Sequence, residues 1–194
     1  MLGYLDAQME RGENCDVDVF GFSRGAGQAR DFVNRVHNKY PDVRIRFLGI
    51  FDTVLAVPNP REYLLEIPAS VQTVIHPTAR AERRMQFPLS SIKPGENSPM
   101  KQLDWWEFSM PGAHSDVGGG YKERRQFANQ SLLLMHAQAV ARGVPLGPIP
   151  NEYSDTNIKD LNPHDSRWAN DKANDLYNLV NRRPQRPREI NYYP

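Results

Sequence analysis

Apolar residues follow two rhythms over the first fifty positions. Cys15, Val17 and Val19 alternate with Asp16 and Asp18 up to Phe20, and a period of two marks a strand. From there the spacing lengthens. Ala26, Ala29, Val33 and Val36 recur at helical intervals, which predicts a helix over 26–39. After a turn at Pro41-Asp42, the stretch from Val43 to Phe51 alternates at first and is continuously apolar at its end. That is a second strand. Strand, helix and strand at this spacing imply a right-handed parallel crossover. In such sheets ligands and catalytic groups gather at the carboxyl ends of the strands.

Elsewhere the pattern is weaker. Residues 4–11 read as a short helix ahead of the first strand. Residues 55–70 carry prolines and read as a loop or lid, and Val71 to Ile75 as a short strand. Thr78 to Phe87 has helical spacing with a basic face of Arg80, Arg83 and Arg84, and residues 88–103 read as loop. Leu103 to Met110, with Trp105, Trp106 and Phe108, predicts a third sheet strand. Asn129 to Arg142 predicts an amphipathic helix through Leu132, Leu133, Met135, His136 and Val140. From Gly143 the chain is loop-rich, with a helix expected at 169–181 and a basic tail containing prolines. The expectation is one α/β domain over 1–194, a mostly parallel sheet with flanking helices.

Composition narrows the function. A net charge of +1 gives no argument for nucleic acid or for a strongly polarised surface. Cys15 is the lone cysteine, so no intrachain disulfide forms, and its place in a strand suggests burial as a small apolar residue. There is no apolar run long enough to span a membrane. Met1-Leu2-Gly3-Tyr4 has no basic start or long apolar stretch, so no Sec-type signal peptide is expected.

The candidate chemistry lies between the first strand and the first long helix. Gly21-Phe22-Ser23-Arg24-Gly25 reads G-x-S-x-G. In a strand–turn–helix context this is a nucleophile elbow, and a chance match in a glycine-bearing turn is the plainer alternative. Gly21 and Gly25 are expected to leave room where a Cβ would strike a neighbouring element. Ser23 would then stand above a helix N-terminus, where free N–H groups favour negative charge. A serine hydroxyl needs a base, and the base needs an orienting acid. Asp52 ends the second strand and His114 follows the third, the chain order that an elbow serine calls for. His164, in Pro163-His164-Asp165-Ser166, is a rival base, and Asp116 a rival acid. His37 lies too far along its helix to return to Ser23, His76 could line a pocket, and His136 reads as packed on its helix. His114 and Asp116 supply only two metal ligands, and Gly118-Gly119-Gly120 lacks the lysine of a P-loop. No metal or cofactor is expected.

Three stretches together resemble one family. They are Gly21-Phe22-Ser23-Arg24-Gly25-Ala26, Leu48-Gly49-Ile50-Phe51-Asp52-Thr53-Val54, and Pro111 to Tyr121 with its His114-Ser115-Asp116. In order and spacing, from about residue 4 to 142, they are similar to the α/β-hydrolase family of type VI secretion phospholipase effectors, the Tle-type lipases of Gram-negative bacteria. The resemblance implies an α/β-hydrolase fold with Ser23 as nucleophile, Asp52 as acid and His114 as base. It implies hydrolysis of phospholipid acyl esters at a membrane surface. It also implies delivery from the bacterial cytoplasm into a target cell's periplasm, with an immunity protein and a secretion-apparatus component as partners. Family members open with a further strand and an Asp-Gly-Thr-x-Asn-like loop that shapes the oxyanion site. The chain therefore reads as an N-terminally shortened member, an incomplete hydrolase fold whose remaining oxyanion donor is the backbone N–H of Arg24. A non-catalytic interaction module or remnant is the alternative.

Overall fold

The computed structural model describes residues 2–11, 15–55, 59–95, 98–167, 171–172 and 188–191. Its centre is a four-stranded sheet of β1 (Asp16–Phe22), β2 (Arg44–Phe51), β3 (Val71–Ala79) and β5 (Asp104–Met110), in that spatial order and parallel throughout. A two-residue strand β4 (Leu89–Ser90) pairs in parallel with β6 (Ile190–Asn191). The helices are α1 (Leu2–Glu10), α2 (Arg24–Lys39), α3 (His114–Gly118) and α4 (Gln126–Ala141). The predicted strand–helix–strand crossover is present as β1, α2 and β2.

The sheet is covered on two sides. Val33 and Val36 of α2 share a cluster with Leu48 and Ile50 of β2 and with Val71 and Val74 of β3. Met135 and Ala139 of α4 pack with Phe47 and Ile75. Burial from both sides is why the end of β2 is continuously apolar. The strand also contains a bulge. Val17 pairs with Ile45 and Asp18 with Phe47, so Arg46 is the extra residue. Ile45 and Leu48 therefore share one cluster, although they are three positions apart. The acidic half of the β1 alternation pairs with arginines on β2, Asp16 with Arg44 and Asp18 with Arg46.

Among the described residues β1 is one edge strand of the sheet and β5 the other. A groove of about 810 Å³ runs beside β1, lined in part by Tyr4, Leu5, Val17, Phe20 and Phe32. Cys15, also in its lining, is half-buried, less enclosed than the sequence suggests. Among the described residues no helix is long and apolar enough to cross a membrane. Nor, among them, do three or more His, Cys, Asp or Glu gather where a metal could sit.

Two expectations change. β3 is longer than Val71 to Ile75, and the helix expected over Thr78 to Phe87 does not form. Thr78 and Ala79 instead extend the ladder opposite Ser109 and Met110. The turn beyond them is held by Glu82, whose carboxylate accepts from the backbone N–H groups of Arg83 and Arg84 and from the Arg84 guanidinium. Long-range pairing and one side chain thus satisfy the backbone groups that a helix would otherwise pair. The second change is at His114, expected on a loop but found at the first residue of α3. The helix expected at 169–181 lies outside the described residues except for 171–172.

The burial pattern sets a stability test. Phe47 has no exposed surface and lies 5.6 Å from the Phe20 ring, whereas Trp106 is 57% exposed. Phe47→Ala should cost about 3–5 kcal/mol, and Trp106→Ala should stay within about half a kcal/mol. Denaturant midpoints at constant slope would measure both.

Candidate active site

The elbow is strained in the manner the motif demands. Ser23, between β1 and α2, has φ 59° and ψ −123°, a region that costs a non-glycine residue about 1–3 kcal/mol. The turn is held by its neighbours. Ser23 N–H donates to Phe51 O at 3.0 Å, and Ser23 O accepts from Ala26 N–H at 3.1 Å and Gly27 N–H at 3.3 Å. The expected steric role holds at Gly21 and fails at Gly25. A Cβ on Gly21 would fall 2.5 Å from Gly25 O, while one on Gly25 would meet nothing within 4 Å. It is the carbonyl of Gly25, not its missing side chain, that makes the turn tight.

Asp52 leaves the end of β2 with φ 38°, also in the left-handed region. Its N–H donates to Pro77 O at 2.9 Å. The following N–H, on Thr53, donates to His76 Nε2 at 3.0 Å. His76 Nε2 therefore accepts, and Nδ1 carries the proton that Glu107 Oε2 receives at 3.0 Å. His76 is fully buried. It fixes the backbone beside Asp52 from behind.

The three expected residues meet. His114 Nε2 lies 2.8 Å from Ser23 Oγ, and His114 Nδ1 lies 2.6 Å from Asp52 Oδ2. Because Asp52 can only accept when ionised, Nδ1 bears the proton, and Nε2 is free to accept from the serine hydroxyl. Two aromatic rings hold the imidazole in place. Phe22 is tilted against it at 4.6 Å between centroids, and Phe87 meets it edge-on at 5.0 Å. The backbone N–H of His114 donates to Glu82 Oε2 at 3.2 Å. Gly118 lets α3 lie this close, since a Cβ there would fall 2.1 Å from the Phe22 ring.

Asp52 is fully buried and surrounded by donors. Besides His114, its carboxylate receives the N–H of Ala79 at 2.8 Å and two bonds from the Arg188 guanidinium, at 2.6 and 2.9 Å. Burial alone would raise its pKa. The His114 hydrogen bond and the charge and hydrogen bonds of Arg188 outweigh that and hold the carboxyl well below the usual carboxylate range. Glu82 and Glu107 show the same balance. Burial raises each, but Arg84 and His76 respectively bring each below its ordinary value.

The rivals are used elsewhere. His164 Nδ1 is bonded to Asp116 Oδ1, its backbone N–H donates to Asp116 Oδ2 at 2.9 Å, and its ring stacks on Tyr121. Asp116 also accepts from Ala113 N–H at 2.9 Å, so this pair anchors α3. His37 sits in the last turn of α2, and His136 is bonded to Gly147 O at 2.7 Å. Arg24 is exposed at the first residue of α2, where helical N–H groups have no intrahelical acceptor. Beside it an open depression of about 490 Å³ is lined by Phe22, Ser23, Arg24, Gly25 and Gln28. Sequence reasoning did not find Arg188 or Glu82. Arg188 sits in an ordinary-looking basic tail, 136 positions from Asp52, and no local pattern links them. Glu82 is the acidic residue among arginines in a stretch with helical spacing.

The low pKa of Asp52 has a consequence for stability. An unfolded aspartate titrates near 3.9, so as pH falls through that value the unfolded chain binds a proton that the folded chain does not. Stability from this group is complete above that range and is lost as pH falls toward the folded value. Unfolding free energy should therefore decline between about pH 5 and pH 2. Asp52→Asn should be less stable at neutral pH, because Arg188 is left buried without its anion, by about 3–5 kcal/mol. It should also show a shallower decline in acid. Denaturant titrations across pH would check both.

Solved structures and a known family resemble parts of this chain. No curated protein matches the chain. Several solved structures are similar, among them the following two. One is the crystal structure of an uncharacterized protein from Pseudomonas aeruginosa, with 24% identity, a TM-score of 0.60, and coverage of 78% of this chain and 28% of that one. The other is the structure of the Tle1 effector bound to the VgrG spike from the Type 6 secretion system, with 37% identity, a TM-score of 0.42, and coverage of 52% of this chain and 23% of that one. The chain thus spans about a quarter of the length of each. The first likeness supports the fold. The family model of the T6SS phospholipase effector Tle1-like catalytic domain matches residues 33–138, more than half of the chain, with Asp52 and His114 inside the match and Ser23 ahead of it. The chain belongs to the Tle1-like catalytic domain family of type VI secretion phospholipase effectors.

Proposed function

We propose that this chain is a serine hydrolase that cleaves carboxylic esters, with phospholipid acyl esters as its substrate class. The observation that carries the reading is the continuous hydrogen-bonded line from Ser23 Oγ through His114 to a buried, ionised Asp52. Family membership supports the choice of a phospholipid.

In this mechanism Ser23 Oγ attacks the acyl carbonyl carbon while its proton passes to His114 Nε2. Asp52 stays ionised and stabilises the imidazolium through Nδ1. The carbonyl oxygen becomes an oxyanion near the N-terminus of α2, where the Arg24 N–H is the candidate donor. As the tetrahedral intermediate collapses, His114 returns the proton to the leaving alcohol and an acyl-Ser23 ester remains. Water then attacks by the same route. It gives its proton to His114, releases the fatty acid and restores the Ser23 hydroxyl. Phe22 and Phe87 keep the imidazole aimed through both halves of the cycle. The proposal extends to delivery by type VI secretion into a target cell's periplasm, with a secretion-apparatus component and an immunity protein as partners.

A fluorophosphonate probe tests the reading without knowledge of the lipid. Wild type should be labelled, while Ser23→Ala should not be labelled and His114→Ala should label several thousandfold more slowly. His164→Ala should label at close to the wild-type rate. Labelling that ignores Ser23, or none at all, would leave the non-catalytic reading.

Arg24 offers a second check. Its proposed oxyanion donor is a backbone group, so Arg24→Ala should keep the labelling rate. If the guanidinium also meets the lipid phosphate, the same variant should raise KM for a phospholipid and leave KM for a short-chain neutral ester unchanged. Steady-state kinetics on the two substrates would separate these roles.

A further inference from the structure

We infer that Arg188 is a positioning residue for the catalytic acid, and that residues 188–191 form a strap that locks the Asp52 carboxylate in the orientation His114 needs. The inference rests on the reading of Ser23, His114 and Asp52 as a catalytic triad.

The guanidinium meets the carboxylate fork to fork. Nη1 donates to Asp52 Oδ1 at 2.6 Å and Nη2 to Oδ2 at 2.9 Å. Two parallel bonds fix the rotation of a carboxylate as one bond cannot. Fixing that rotation aims the remaining lone pair of Oδ2 at His114 Nδ1, 2.6 Å away. The guanidinium is itself held, with Nε donating to Phe87 O at 2.9 Å and Nη1 also reaching Ala79 O at 3.2 Å.

The strap closes on itself. Leu89 N–H donates to Glu189 O and Ser91 N–H to Asn191 O, both at 2.8 Å, so β6 is pinned along β4. Between those two, Ser90 N–H donates to Thr53 O at 2.9 Å. Thr53 follows Asp52 directly. The chain therefore leaves Asp52 through Thr53, crosses to β4, crosses to β6 and returns to Asp52 through Arg188. The acid is gripped by its backbone and its side chain through one hydrogen-bonded loop.

The pairing also has an electrical effect. Asp52 shares its negative charge between Arg188 and His114. From the turn after β3, Glu82 faces the His114 backbone and is paired with Arg84, which lies over the Phe87 ring. From β3, His76 stands behind Thr53, paired with Glu107 of β5. Glu82 and Glu107 thus each have a basic partner of their own. Among the described residues Arg188 is the cation bonded to the Asp52–His114 pair itself, and a standing positive charge there opposes a second one on the imidazole. Lysine could supply the charge but not the planar fork.

Labelling rates with the fluorophosphonate probe, measured against pH on the full 194-residue chain, test this. Circular dichroism and gel filtration would establish that each variant is folded. Arg188→Gln should label about tenfold more slowly at neutral pH, and the acidic limb of its profile should move to higher pH. Arg188→Lys, which keeps the charge and loses the fork, should be slowed with its limb near the wild-type position. A folded Arg188→Gln with the wild-type rate and limb overturns the proposal. So does one that is slowed with an unmoved limb, because that is a merely structural effect. If Arg188→Gln does not fold, Arg188→Lys decides, and a wild-type rate in that variant overturns the proposal. Labelling of wild type that does not depend on Ser23 overturns the triad reading instead, and is told apart by the Ser23→Ala control.

Discussion

A carboxylate with no access to water must find its hydrogen bonds inside the protein. Asp52 finds them from Ala79, from His114 and twice from Arg188. Each donor comes from a different part of the chain, the end of β3, the start of α3 and the strap at 188–191. The cost of stranding a buried charge runs to several kcal/mol, so these segments are bound to the site as firmly as the site is bound to them. The sheet order makes this workable. β2 and β3 are neighbours, so the end of one strand can be capped by the backbone of the next.

Three histidine–carboxylate pairs occur in the described residues: His114 with Asp52, His76 with Glu107, and His164 with Asp116. Their chemistry differs through what the second nitrogen meets. In His76 it meets both the backbone N–H and the hydroxyl of Thr53 and has no exposure, so the pair is a structural brace. His164 stacks on Tyr121 and ties α3 to the segment around Pro163. Only His114 presents its second nitrogen to a serine hydroxyl. The distinction comes from geometry and partner chemistry, since residue type is the same in all three.

The parts of this arrangement that were legible in the sequence are those that rest on local rules. Alternation announced β1, helical spacing announced α2, and a glycine-flanked serine between them announced the elbow. The order Ser23, Asp52, His114 was readable because parallel strands deliver their ends to one rim. What could not be read depends on distant pairing. β3 outran its local pattern because β5 offered Thr78 and Ala79 a ladder. Glu82 looked like one polar residue in a basic helix, and only the fold reveals that it holds a turn and the His114 backbone. Gly25 looked like a steric necessity, yet the contact is made by its carbonyl. Arg188 is invisible to any window of local length.

That last separation matters for how the protein comes into being. A chain is made from its amino end, and Asp52 is present 136 residues before the arginine that grips it. At roughly 5–20 residues per second, the interval is on the order of ten seconds. During it β1, α2 and β2 can assemble, and the serine and the acid can stand at their strand ends. The charge that fixes the acid is not yet there. The grip on Asp52 therefore cannot close until residue 188 has been made.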